Sequence, residues 1–221
     1  FKNNSQMIPF INAYAEGLNR STSDVLGILL LPELITSFTK FIPSIPILQQ
    51  GCSSLFYLNQ SNSPSHFRVL DFPLGDSYQS NERGILYQFK GKQKVFSFGT
   101  AGIPFPSLTA MNESGITISL HQKFSTITNL EGTPIFEIVS KFIEEVTNID
   151  DANKFLNKTQ SITSWGLYIS SSQDKKILKV DLKGNEKSIN EQEMTKSILI
   201  IPNSTLKIIF KTHFLYQILL V

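Results

Sequence analysis

Gly51-Cys52-Ser53-Ser54 contains the only cysteine of the chain and lies between a helix-like N-terminal stretch and a strand-rich remainder. That placement marks the Gly51–Cys52 peptide bond as one to be cut. A cysteine that becomes a new N-terminus carries a thiol nucleophile and an α-amine on one residue, and a free amine with a pKa of about 7.7 to 8.0 is a suitable base beside the sulfur. The preceding glycine has a physical role as well. With no Cβ, it lets the backbone take the strained conformation that thiol attack on its carbonyl requires. A free cysteine taken alone is a small buried hydrophobe, so the neighbouring residues decide.

Downstream, His66-Phe67-Arg68-Val69-Leu70-Asp71-Phe72-Pro73 alternates as a short strand, and Ala110-Met111-Asn112-Glu113-Ser114-Gly115 reads as a tight turn leading into Ile116-Thr117-Ile118. Arg68 and Asp71 are three apart, which puts them on opposite faces of a strand. A shared site then needs a bend or bulge near Val69-Leu70; without one they form an ordinary surface ion pair. Asn112 opens a turn closed by Gly115, a usual position for asparagine. Upstream stand Tyr14-Ala15-Glu16-Gly17, Asp24-Val25-Leu26 and Leu31-Pro32-Glu33-Leu34.

This ordered set, a cysteine after glycine, an R-x-x-D-F-P strand and an M-N-E-x-G turn, resembles the N-terminal-nucleophile hydrolases of the acyl-CoA:6-aminopenicillanate acyltransferase type. Penicillin-V and bile-salt amidases are more distant relatives. The upstream segments resemble that family's pro-segment, and the likeness runs from about Tyr14 to Phe214. It implies an α+β chain folded as a four-layer αββα sandwich, with the nucleophile at the end of a central strand. Residues 1–51 would be a helical pro-segment or small subunit that stays associated after cleavage, and 52–221 the catalytic core. The implied activity is that of an autoprocessed cysteine hydrolase or acyltransferase, which takes an acyl group from a small-molecule amide or thioester through an acyl-enzyme on Cys52.

The resemblance also implies roles for the other residues. Asp71 would hold the new α-amine of Cys52, Arg68 would lie near the thiolate and favour its charged form, and Asn112 would help to form an oxyanion hole. Ser54 is a candidate helper of self-cleavage at Gly51–Cys52. Near the end of the chain, relatives carry an asparagine directly before His-Phe, whereas Lys211-Thr212-His213-Phe214 puts Thr212 in that slot. A threonine hydroxyl donates one hydrogen bond and does not reproduce an amide's paired donor and acceptor. Thr212 therefore supports a competing reading as well, a catalytically inactive or truncated family member serving as a binding protein or remnant.

Composition fits a soluble globular enzyme and excludes little else. The chain has 221 residues, 41% of them hydrophobic and 17 of them phenylalanine, enough for one full, aromatic-rich core. A net charge of +2 is too small to imply nucleic acid, and no Lys/Arg run interleaves with aromatics. No metal-ligand spacing joins the three histidines, His66, His121 and His213, and no cofactor is expected. The apolar run Ile28–Leu31 is interrupted by Pro32 and Glu33, well short of the roughly 20 residues of a membrane span. The chain begins at Phe1 without a methionine, so a leader could precede it in a precursor, and it ends on apolar Leu215–Val221 where relatives continue, so a C-terminal truncation is expected.

Local pattern predicts the elements. Ser21 or Ser23 caps a helix from about Asp24, Pro32 opens a second helical segment, and residues 44–50 form an extended linker. Beyond Cys52 the hydrophobic period becomes two. Ile85–Phe89 and Gln93–Phe98 flank Lys90-Gly91-Lys92 as a hairpin, and Ile116, Ile118 and Leu120 alternate with Thr117, Ser119 and His121 as a half-buried strand. A helix runs from about Pro134 to Val146 with Thr133 as N-cap, and Asp150 or Asp151 caps a second one through Leu156. Trp165–Ser170 pairs with Ile177–Leu182, and Ile198–Ile201 with Leu206–Phe210. Strands, then helices, then strands make the class α+β.

Overall fold

The structure is a computed structural model that describes residues 7–38, 52–58, 64–69, 80–100, 102–123 and 129–194, together with the backbone of two short strands at 198–200 and 216–219. In chain order its elements are helices α1 (Ile8–Gly17) and α2 (Thr22–Phe38), then strands β1 (Ser53–Leu58), β2 (Pro64–Val69), β3 (Glu82–Gln88), β4 (Lys94–Thr100), β5 (Thr109–Asn112) and β6 (Ile116–Gln122). Helices α3 (Ile135–Glu145) and α4 (Ile149–Lys158) follow, and then β7 (Ser164–Ser171), β8 (Lys176–Lys183), β9 (Glu186–Glu193), β10 (Ile198–Ile200) and β11 (Tyr216–Leu219). The class is α+β, with two antiparallel sheets. The larger runs β3 to β9 in chain order, and the smaller has the order β10-β1-β2-β11.

The two faces of the large sheet have different work. One carries Ala110, Ile118, Leu120, Leu167, Ile169 and Val180 and packs against α3 through Ile138, Val139 and Phe142, against α4 through Ala152 and Leu156, and against α1 and α2 through Ile11 and Leu29. Removing such side chains from water is worth about 1.5–3 kcal/mol each, so this face holds most of the core. The other face presents Thr117, Ser119, His121 and Ser170 to Ser54, His66 and Arg68 of the small sheet. Helices, large sheet and small sheet make three layers; a helical layer outside the small sheet, which the four-layer expectation requires, is not among the described residues. Nor is any helix among them long and apolar enough to cross a membrane.

Several local expectations are corrected. Ser21 does cap α2, its Oγ accepting from the Asp24 amide at 3.1 Å, but the helix continues through Pro32. A proline inside a helix costs one backbone bond, and here the next residue, Glu33, is anchored in the core by tertiary hydrogen bonds. Pro134, not Thr133, sits at the N-cap of α3 and supplies no side-chain cap. The Ile135 amide instead donates 2.7 Å to Glu33 Oε1, an N-terminal cap from 102 residues away. On α4 the cap is Asn148, whose Oδ1 accepts from the Asp151 amide at 2.9 Å, while Asp150 and Asp151 lie in the first turn, where the helix dipole favours them.

The β6 strand is buried on both faces rather than half-buried, because its polar side meets the second sheet instead of water. The two central hairpins form as expected, Gly91 taking φ +73° in the first. Ile198–Ile200 pairs with β1; Leu206–Phe210, its expected partner, lies outside the described residues. The strand β9 was not foreseen: its Glu, Lys and Asn side chains carry little apolar alternation, and it forms through pairing with β8 along its whole length at the sheet edge.

Candidate active site

Cys52 immediately precedes β1, an inner strand of the small sheet, and its side chain is buried and free of any disulfide. The neighbouring strand supplies Arg68. Register pairs Ser54 with Arg68 and Phe56 with His66, so these side chains share the face turned to the large sheet. From there Arg68 Nη2 donates 3.3 Å to Cys52 Sγ and also to the Leu120 carbonyl, and Nη1 donates 2.7 Å to Thr109 Oγ1.

This guanidinium is 2% exposed, and among the described residues its Nε has no hydrogen-bond partner and no ion pair includes it. A buried cation needs a compensating negative group. Negative charge on the sulfur 3.3 Å away would supply one. Arg68 is thus brought to the cysteine by β2 pairing with β1; Leu70 and Asp71, on which the expected bend depends, lie outside the described residues.

Two histidines line the same inter-sheet space. His121 Nδ1 is 3.2 Å from the Cys52 carbonyl oxygen and its Nε2 is 2.8 Å from Ser54 Oγ; His66 reaches Ser54 Oγ at 3.3 Å through Nε2 and Thr117 Oγ1 at 2.8 Å through Nδ1. Burial, and secondarily the charge of Arg68, holds His66 down to about 3, and the same causes in the same order keep His121 well below the ordinary histidine range. Both rings are therefore neutral at pH 7. Tyr168 packs edge-on against His121 with ring centroids 4.3 Å apart; its buried hydroxyl has no partner among the described residues, and burial raises its pKa, with Asp181 and Cys52 adding to the effect.

Asn112 is placed elsewhere. It lies at the far end of β5 from Thr109 and on the opposite face, the one packed against α3. Its Nδ2 donates to the carbonyls of Ile143 at 3.0 Å and Val146 at 2.7 Å, and its Oδ1 accepts from the amides of Ser114 at 3.1 Å and Ile116 at 3.0 Å. Every hydrogen-bonding capacity of the amide is used to close the turn at Gly115, φ +76°, and to tie it to the end of the helix. The geometry corrects the oxyanion expectation for Asn112: its amide faces α3, with the sheet between it and the cysteine.

Gly51, Asp71, Thr212 and His213 lie outside the described residues. Sequence reasoning set His66 and His121 aside and did not single out Thr109 or Ser119. Alternation on β6 put Thr117, Ser119 and His121 on one face, and a histidine in such a row was the available signal. Among the described residues no group of three or more His, Cys, Asp or Glu could hold a metal ion.

Comparison with known proteins adds the fold. A scan against protein-family models matches none, and a search of curated proteins finds no match. Among solved structures the chain is similar to the Caenorhabditis elegans ortholog of N-acylethanolamine-hydrolyzing acid amidase, with a TM-score of 0.50 and 13% identity over 67% of this chain and 69% of that one. The likeness is one of fold: an α+β arrangement of two antiparallel sheets and helices, shared with an amidase.

Proposed function

We propose that this chain is a cysteine hydrolase of the N-terminal-nucleophile type, autoprocessed between Gly51 and Cys52. Its mature form would take an acyl group from an amide or thioester to water or an amine acceptor. The observation that carries the reading is the buried contact of Arg68 Nη2 with Cys52 Sγ at 3.3 Å, in a chain whose fold is similar to that of an amidase. The neighbour's name concerns hydrolysis of an N-acylethanolamine, and for this chain the substrate class stays at a small acyl amide or thioester.

Processing begins with Cys52 Sγ adding to the Gly51 carbonyl carbon. The C–N bond breaks, the sulfur's proton passes to the Cys52 nitrogen, and a thioester joins the two segments. Water hydrolyses that thioester, leaving a carboxylate on Gly51 and a free amine on Cys52. In turnover the sulfur adds to the substrate carbonyl, the tetrahedral oxyanion collapses, and the leaving amine or thiol takes its proton from the Cys52 α-ammonium. Water then attacks the acyl-enzyme with the α-amine as base, and the thiol is regenerated.

Arg68 stabilises negative charge on the sulfur throughout. Asp71 is assigned to hold the α-amine and Thr212 to give one hydrogen bond to the oxyanion; residues 1–51 stay bound as a small subunit. Supporting that association, Glu33 of α2 accepts hydrogen bonds from the Ile135 amide at 2.7 Å, from Trp165 Nε1 at 3.0 Å and from Thr163 Oγ1. Intact-mass measurement of the purified chain tests the proposal. Two fragments divided at Gly51–Cys52 support it, and a single uncut chain with no acyl transfer from any amide or thioester overturns it in favour of an inactive member of the fold.

A further inference from the structure

The hydrogen bonds between the sheets fix more than the sulfur. A carbonyl oxygen only accepts, so the 3.2 Å contact between the Cys52 carbonyl and His121 Nδ1 requires the proton on Nδ1. The ring is neutral, so Nε2 is bare and must accept. Its shorter contact, 2.8 Å, is with Ser54, against 3.2 Å to Ser119, which assigns it the Ser54 hydroxyl proton. Ser54 Oγ has then given its only proton and can only accept from its remaining neighbours, Ser119 Oγ at 2.8 Å and His66 Nε2 at 3.3 Å. His66 accordingly carries its proton on Nε2, and its bare Nδ1 accepts from Thr117 Oγ1 at 2.8 Å. Thr117 in turn accepts from Ser170 Oγ at 2.6 Å.

We infer that His121 is a positioning residue for Cys52, locked as the Nδ1–H tautomer by a one-way hydrogen-bond chain that runs Ser170, Thr117, His66, Ser54, His121 and ends on the Cys52 carbonyl. Cys52 stands just outside β1, so strand pairing alone does not orient it. Arg68 grips its sulfur from β2 and His121 grips its carbonyl from β6. The two histidines hold opposite tautomers because Ser54 between them has one proton to give.

The chain is buried along its length, Ser54 being 1% exposed and His66, Thr117 and His121 0%. Solvent does not compete for these bonds, and Ser54 is no substrate-facing nucleophile despite its histidine partner. A polar network satisfied at each link is rigid and specific, which suits a group that must hold a reacting atom in place. The inference rests on the reading of Cys52 as the nucleophile, and its test is separate from that reading.

Two measurements on the full chain test it. Long-range ¹H–¹⁵N spectra at pH 7 should show His121 protonated at Nδ1 and His66 protonated at Nε2; the same tautomer on both rings, or a proton on His121 Nε2, overturns the chain. Because Cys52 is the only cysteine, alkylation by iodoacetamide reports on it alone and needs no acyl donor. An asparagine amide reaches the place of the imidazole Nδ1 and a glutamine amide that of Nε2. His121→Gln should therefore slow alkylation about tenfold or more, since small misplacements of a reacting atom cost up to about a hundredfold, while His121→Asn retains most of the rate. Equal rates in the two variants overturn the positioning role, and if neither variant folds the tautomer spectra of the unsubstituted chain still decide. Absence of acyl turnover alongside the expected tautomers and the expected Asn–Gln difference would remove the enzyme reading and leave this one standing.

Discussion

Arg68 Nη2 stands 3.3 Å from Cys52 Sγ, a buried guanidinium on a buried sulfur, with the Leu120 carbonyl and Thr109 hydroxyl as its other partners. Hydrogen bonds to charged groups are worth about 1.5–3 kcal/mol, so Arg68→Ala should slow alkylation of Cys52 at neutral pH about tenfold or more. An unchanged rate at neutral pH would make Arg68 a purely structural residue.

Cys52→Ala should abolish the proposed cleavage, since it removes the thiol assigned to attack the Gly51 carbonyl. Its intact mass should be that of the full chain, while Cys52→Ser should cleave slowly, since a hydroxyl makes the same acyl shift with a poorer nucleophile. Complete cutting of the alanine variant would assign processing to another protease.

Glu33→Ala strands three donors that now meet one carboxylate, those of Ile135, Thr163 and Trp165. Each unsatisfied buried group costs about 1–3 kcal/mol, so the loss of stability in urea unfolding should be at least about 3 kcal/mol. A loss below about 1 kcal/mol, the scale of an ordinary helix cap, would mean that the helical segment is held by apolar contact alone.

Acid should unfold the protein through its inter-sheet histidines. Both have folded-state pKa values depressed below the unfolded one, so the unfolded chain binds the protons first. Their contribution to stability is complete above about pH 6.5 and falls as the pH drops toward about 3, where His66 itself titrates. Each neutral ring steepens the decline by about 1.4 kcal/mol per pH unit. Urea midpoints between pH 7.5 and 4 should show His66→Gln declining less steeply than the unsubstituted protein; parallel declines would mean that His66 is already charged in the folded state.

Asn112→Ala should lower stability by about 2 kcal/mol or more, because it frees the Ile143 and Val146 carbonyls and two turn amides together. Alkylation of the folded fraction should be unaffected. A normal unfolding midpoint combined with slow acylation would return Asn112 to the oxyanion hole.

The chain's own order of residues was enough for the class and for the two central hairpins. Those rest on local physics: a period-two pattern from Ile85 to Phe98, Gly91 in the turn, and the apolar stripe Ile135–Ile143. Other features depended on contacts between residues far apart in the chain. The N-cap of α3 comes from Glu33, beyond the reach of any local rule, and that same anchorage lets α2 pass through Pro32. Most of all, Thr117, Ser119 and His121 alternate with apolar residues just as a solvent-facing row would. Only the arrival of β1 and β2 over that row turns it into a dry network around Cys52, because a polar side chain reads the same in sequence whether its partner is water or a second sheet.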